Sequence, residues 1–165
     1  MAESTVAKVR KDGIITINDG TATPYTYTVA YEDGDFQASW PKRDSIAIRD
    51  RGTIVGERYG DQALGTLSFT VHMREFTDAA AATIIDVIDR LGTWAAYVTT
   101  GGTGYESFMH GVTMSCEGTD YGDSVDHTLV FSKVKLSWAF AEGDPNKISV
   151  TGEVWAAPTK TGPAA

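Results

Sequence analysis

A chain of 165 residues with a formal net charge of −8 is long enough for one domain with its own core, and it needs no disulfide staple. Its single cysteine, Cys116, cannot pair within the chain, and no cluster of Lys and Arg sits among aromatics as a nucleic-acid groove requires. Neither an apolar leader after Met1 nor a run of about eighteen apolar residues occurs, so no signal peptide or membrane span is expected and synthesis in a cytoplasm is.

Residues 5–10 and 14–17 predict two short strands joined across Lys11-Asp12-Gly13. Tyr25, Tyr27, Val29 and Tyr31 alternate with Thr26, Thr28 and Ala30, which predicts a strand with three tyrosines on one face. Asp33-Gly34 turns the chain into a strand carrying Phe36, Ala38 and Trp40, and Pro41 ends it because proline cannot donate to a ladder.

Residues 41–64 differ in texture: Lys42, Arg43, Asp44, Arg49, Asp50, Arg51, Glu57, Arg58 and Asp61 are interspersed with Ile46, Ile48, Ile54 and Val55. So long a segment is seldom structureless inside a compact domain. The pattern predicts a projecting hairpin arm that turns at Asp50-Arg51-Gly52, with open strand edges and charges of both signs able to pair with another copy of the chain.

From Gly65 to Met73 the period is two, with Leu67, Phe69, Val71 and Met73 facing one way. The period then changes to that of a helix over residues 78–91: Thr77 or Asp78 caps it, Ala79 to Ala82 favour it, and Ala81, Ile84, Ile85, Ile88 and Leu91 share a face. Asp86 and Arg90 stand one turn apart on the polar face, and Gly92 supplies a left-handed stop. A strand is expected from Trp94 to Thr99.

Gly101-Gly102-Thr103-Gly104 lacks the following helix and the Lys-Ser/Thr pair of a phosphate loop, and reads as a turn into a β-like run over residues 105–109. Val112, Met114 and Cys116 alternate again. Glu117, Asp120, Asp123 and Asp126 lie in an acidic loop without a known calcium-loop pattern, so no metal is expected. Leu129, Phe131, Val134, Leu136, Trp138 and Phe140 make the longest strand, with a bulge expected at Ser132-Lys133. Glu142-Gly143-Asp144-Pro145-Asn146 turns it into a last strand through Ile148, Val150, Gly152 and Val154, leaving residues 156–165 as a flexible tail after a single β domain over residues 1–155.

His72, His110 and His127 are scattered, and no nucleophile elbow, paired-histidine helix or nucleotide fingerprint occurs, so neither enzymatic activity nor a cofactor is expected. The aromatic strand with Tyr25, Tyr27 and Tyr31 leaves room for a monomeric carbohydrate-binding module.

The order of these elements resembles the major tail tube protein of long-tailed bacteriophages. The likeness rests on paired strands, the charged arm over residues 41–64, the run Gly65-Thr66-Leu67-Ser68-Phe69-Thr70-Val71, one helix, and a terminal hairpin ending Ile148-Ser149-Val150-Thr151-Gly152. It implies a mainly β fold, a β-sandwich or incomplete barrel with one flanking helix and the arm projecting. It further implies a virion protein, assembled in the host cytoplasm, whose hexameric rings stack into a hollow tube that conducts DNA without sequence-specific binding. Its partners would be itself and the tape-measure, tail-tip and tail-terminator proteins. Arg43, Ile46, Ile48, Arg49, Arg51, Glu57 and Arg58 become the subunit-interface candidates. Another small virion protein, for tail completion or head decoration, would have the same texture.

Overall fold

Apolar side chains at every second position mark the main strands of this chain. The computed structural model describes residues 13–32, 34–73, 82–116, 118 and 125–162. Along them run β1 (Ile14–Asn18), β2 (Thr26–Val29), β3 (Gln37–Ser39), β4 (Ser45–Asp50), β5 (Thr53–Tyr59), β6 (Gly65–His72), the helix α1 (Ile84–Asp89), β7 (His110–Cys116), β8 (His127–Ala141), β9 (Lys147–Val154) and β10 (Thr159–Thr161). All pairings are antiparallel. The large sheet has the order β2-β1-β7-β8-β9-β6-β3, with β10 added beside β8, and β4 and β5 form a separate two-stranded sheet.

Alternation is cleanest in β6 and β9, where Leu67, Phe69, Val71, Ile148, Val150 and Val154 are buried. These six join one core with Ile15, Ile17 and Val29 from the other end of the sheet, and Phe131, Val134 and Leu136 from its middle. Strands at both ends share that core only if the sheet rolls up, which makes it an incomplete barrel. At the seam, Tyr31 meets Phe69 edge-on, and Phe36 lies against both Phe69 and Phe131. The strand tyrosines accordingly serve the interior: Tyr27 and Tyr31 pack on the core, and Tyr25 alone stays 59% exposed, which leaves no three-tyrosine sugar platform.

β8 is the spine. Its first half pairs with β7 on one side and β10 on the other, and its second half pairs with β9. Val112 faces Phe131 but His110 faces Val134, so β8 carries one extra residue at Ser132-Lys133, the expected bulge. The segment expected as a flexible tail contains β10, in which Thr159 and Thr161 face Val130 and Thr128 of β8.

Several expectations need correction. Among the described residues the helix begins at Ile84: Ala82 and Thr83 are not helical, and Thr83 is the cap, while Thr77 to Ala81, with the cap expected at Thr77 or Asp78, lie outside the described residues. Its side chain accepts from the Asp86 amide at 3.2 Å while the Thr83 amide donates to Asp86 Oδ2 at 2.8 Å, a reciprocal capping box. Asp86 is thereby committed to the cap and makes no pair with Arg90. Arg90 is itself the left-handed C-cap (φ 59°), and its guanidinium lies 4.3 Å above the Phe108 ring and donates to the Ala95 and Tyr97 carbonyls. Ile84, Val87 and Ile88 are buried, whereas Leu91, beyond the helix end, is exposed.

The strand expected from Trp94 is a 3₁₀ turn, Gly92–Ala96. That geometry brings Trp94 and Tyr97, three residues apart, onto one face where their rings stack at 4.2 Å, an arrangement that a strand would forbid. Residues 105–109 are likewise not a strand, and β7 starts at His110. The strand expected over residues 5–10 and most of the acidic loop, including Glu117, Asp120 and Asp123, lie outside the described residues.

Gly65 marks where the chain returns to the sheet after β5. A Cβ there would sit 2.6 Å from the Ser39 carbonyl oxygen and 2.7 Å from the Trp40 ring, so no side chain fits. Gly65→Ala should destabilise the fold by about 2 kcal/mol through overpacking. Thermal melts should show this as a drop of roughly 4–8 °C; an unchanged melting temperature would mean that Ser39 and Trp40 yield freely.

Candidate assembly surface

β4 and β5 stand apart from the sheet, and what they expose is unusual for a hairpin. Asp50 faces Thr53 across a two-residue turn in which Arg51 (φ 47°) and Gly52 (φ 88°) are both left-handed, the type I′ geometry that matches strand twist. Arg49 reaches back over it, its Nη1 3.5 Å from the Gly52 carbonyl oxygen. The base is clamped by the Gly60 amide donating to the Asp44 carbonyl at 2.7 Å and by Gln62 Nε2 donating to the Pro41 carbonyl at 2.8 Å. Between base and tip the register shifts once, at Ile48/Arg49, which leaves Val55 as a bulge.

Along both strands the side chains are exposed, with Gly56 the one half-buried residue. Ile46 and Ile48 are 43% and 46% exposed, Ile54 and Val55 59% and 60%, and Tyr59 75%. Neither outer edge of the hairpin is paired among the described residues. Two-stranded hairpins are marginal in water, and open edges with apolar side chains invite another chain. This geometry can add a strand or bury aliphatic surface.

The seven interface candidates all fall on this arm or its stem. Arg43 is exposed on the approach to β4; Ile46, Ile48 and Arg49 are on β4; Arg51 is at the turn; Glu57 and Arg58 are on β5. Glu57 accepts from Ser45 Oγ at 2.7 Å, and Arg58 stands opposite Ile46. Ile54, Val55 and Tyr59 belong with them. Their signal was the β-branched pair Ile54-Val55 in a charged context, and a tyrosine at a strand end.

His110 and Asp19, the buried polar residues among those described, are engaged in structure. His110, 2% exposed, directs Nε2 at the Val87 carbonyl oxygen at 3.2 Å, which makes that nitrogen the protonated one. Burial pushes its pKa down, against the pull of the Val87 carbonyl, and the Arg90 charge adds to the lowering. Asp19, 3% exposed, accepts from the Tyr25 amide at 2.9 Å and the Val98 amide at 3.1 Å, and so ties the loop after β1 to the segment after the 3₁₀ turn. Among the described residues no group of three or more His, Cys, Asp and Glu could hold a metal, and no helix is long and apolar enough to cross a membrane.

No family model and no curated protein matches this chain in sequence. The fold does have counterparts. One is a chain in the cryo-EM structure of an extracellular contractile injection system, the PVC sheath/tube terminator in its extended state, with a TM-score of 0.57 and 12% identity over 96% of this chain and 100% of that one. Another is a chain in the sixfold-symmetrised baseplate of the anti-feeding prophage, with a TM-score of 0.60 and 11% identity over 96% of this chain and 98% of that one. At these identities the likeness is one of fold, and it spans nearly the whole of each chain.

Proposed function

We propose that this protein is a structural, non-enzymatic subunit of a phage-tail-like particle. It assembles with itself into hexameric rings that stack as a hollow tube, through which DNA passes without sequence-specific contact. The observation that carries this is the free-standing β4–β5 hairpin, with apolar side chains and open edges exposed along its length. The end-to-end likeness of fold to chains of two contractile injection assemblies supports the setting. The charge of −8 suits a conduit that repels a polyanion. Many small contacts repeated within and between rings make such an assembly stable without any one strong interface. Tape-measure, tail-tip and tail-terminator proteins are the expected further partners.

A second reading has its own support: the matched structures are a terminator and a baseplate, which favours a ring component that ends or seats a tube rather than building its length. Negative-stain microscopy and light scattering over a concentration series distinguish the two. Hollow filaments are expected for the tube subunit, discrete rings for a terminal component. Monomers at every concentration, with or without a seeding particle, would reject both.

A further inference from the structure

We propose that His110 is a proton-operated latch on α1: as the neutral imidazole it holds the Val87 carbonyl and keeps the helix on the sheet, and on taking up a proton it lets the helix go. This goes beyond the assembly reading and does not depend on it.

The latch joins two elements that no strand ladder connects. His110 is the first residue of β7, where it faces Val134 of β8 while its neighbour Gly111 faces Asn18 of β1, so ladders on both sides hold β7 in place. α1 has no such support. It has six residues, lies on β8 and is seated by Ile84, Val87 and Ile88. Carbonyls in the last turn of a helix lack a helical amide to accept from. Here the Leu91 amide donates to the Asp86 carbonyl at 2.9 Å, and the Val87 carbonyl finds its donor in His110 Nε2 at 3.2 Å. The end of the helix is thus capped by a side chain from another element.

That imidazole is poorly placed to carry a charge. It is 2% exposed, and among the described residues nothing bonds its other nitrogen, Nδ1. Protonated, Nδ1 becomes a buried donor without an acceptor, which is the costly case. A cation is already close: Arg90 lies 4.3 Å above the Phe108 ring, whose centroid is 4.9 Å from that of His110. Burial, with the Arg90 charge beside it, outweighs the pull of the Val87 carbonyl and lowers the His110 pKa from its ordinary 6.5.

The other titratable groups around it are engaged elsewhere. On α1, Asp86 is committed to the Thr83 cap and Asp89 accepts from Trp138 Nε1 at 2.9 Å. Beyond the 3₁₀ turn, Tyr97 lies 6.1 Å from the His110 ring, and burial and the Asp19 charge keep it neutral. On β8, Lys133 and Lys135 flank Val134; Lys133 lies 4.7 Å from the Tyr105 ring, and Lys135 is exposed.

With the helix lifted, His110 meets water and regains its ordinary pKa. Opening therefore becomes more frequent by up to about tenfold for each pH unit below 6.5, until the closed state itself takes up the proton. The ladder between β6 and β9 does not need α1, so the response is confined to the helix. What it uncovers is aliphatic: Ile84, Val87 and Ile88.

Hydrogen exchange on the full chain tests this, with protection factors corrected for the intrinsic exchange rate. Between about pH 7.5 and pH 5, the Val87 and Leu91 amides, which bond the Thr83 and Asp86 carbonyls, should lose at least about tenfold in protection. The Val150 amide in β9 should stay within about twofold. His110→Gln keeps a donor of similar reach and does not titrate, so its α1 amides should hold their protection over the same range. An equal fall in that variant would assign the response to the carboxylates of α1 and overturn the latch. So would no fall in the parent, or a fall shared by Val150, which is unfolding of the whole domain. Should the variant not fold, the imidazole carbon resonance of His110 in the parent decides. It should titrate over the interval in which the Val87 amide loses protection, and a ring that stays neutral through that interval overturns the proposal.

Discussion

A chain in which residues 45–59 are replaced by a short Gly-Ser bridge should fold normally and fail to assemble. The ends to be bridged are already adjacent, since the Gly60 amide donates to the Asp44 carbonyl at 2.7 Å. No core residue is removed, so the melting temperature should stay within about 2 °C of the parent. What is lost is the exposed set Ile46, Ile48, Ile54, Val55 and Tyr59. Burying even two such side chains in a contact is worth about 3 kcal/mol, or roughly a hundredfold in an association constant. Sedimentation of the shortened chain should therefore show monomers at concentrations where the parent forms particles. Assembly at the parental concentration would remove the hairpin from the mechanism.

The largest loss of stability from a polar substitution should come from Asp19→Ala. The carboxylate accepts from the Tyr25 and Val98 amides and from Thr21 Oγ1 at 2.9 Å, and alanine leaves those donors without it. About 1–3 kcal/mol per stranded donor, reduced where water can reach, suggests a total near 3 kcal/mol and a melting temperature lower by roughly 6–12 °C. Asp19→Asn keeps an acceptor and should lose less. If both variants melt with the parent, the tie between the loop after β1 and Val98 carries no weight.

The same residue has a pH signature. Burial alone would raise the Asp19 pKa, but hydrogen bonds from Val98, Thr21 and Tyr25 outweigh it and hold the group below its ordinary 3.8. A carboxylate with a lower pKa in the folded chain contributes stability that is complete above the unfolded value and is lost as pH falls through the folded one. Denaturation midpoints should accordingly drop below pH 3.8 in the parent and less steeply in Asp19→Asn. His110 acts in a separate window. Its folded pKa is also lowered, so the unfolded chain takes up the proton first, and its contribution declines as pH falls below the ordinary 6.5.

The sequence makes the two-period strands and the arm plain for the same reason: both are written in local pattern. Leu67, Phe69 and Val71 mark an inner face by themselves, and a Gly52 turn between β-branched pieces in a charged stretch can hardly pack in a core. Even the bulge shows, because Ser132-Lys133 breaks an otherwise regular alternation. Less visible are features fixed by competition. Ala82 favours helix intrinsically, yet it lies outside α1 and the cap is Thr83, whose capping-box partner Asp86 stands three residues on. Trp94 and Tyr97 have the composition of a strand, and only their mutual stacking shows the 3₁₀ turn. β10 has no apolar alternation at all. Thr159-Lys160-Thr161 pairs through backbone at a place made available by the bend of the chain after β9. For the arm, sequence identifies the charges and the β4 isoleucines, while the place of Tyr59 at a strand end is a weak signal that its 75% exposure in three dimensions makes plain.

Sheet order also sets a timetable during synthesis. β1 can pair with β2 early, and β3 with β6, but β1 also needs β7 and β6 needs β9, so the main sheet cannot close until the last third of the chain has been made. The arm, like the β1–β2 pair, is complete within its own stretch of sequence, and it can form its turn microseconds after emerging. The growing polypeptide therefore presents its stickiest edges long before it has a core to stabilise it. Arginines and carboxylates spaced along those edges then act as gatekeepers, discouraging contact between neighbouring nascent chains on one message.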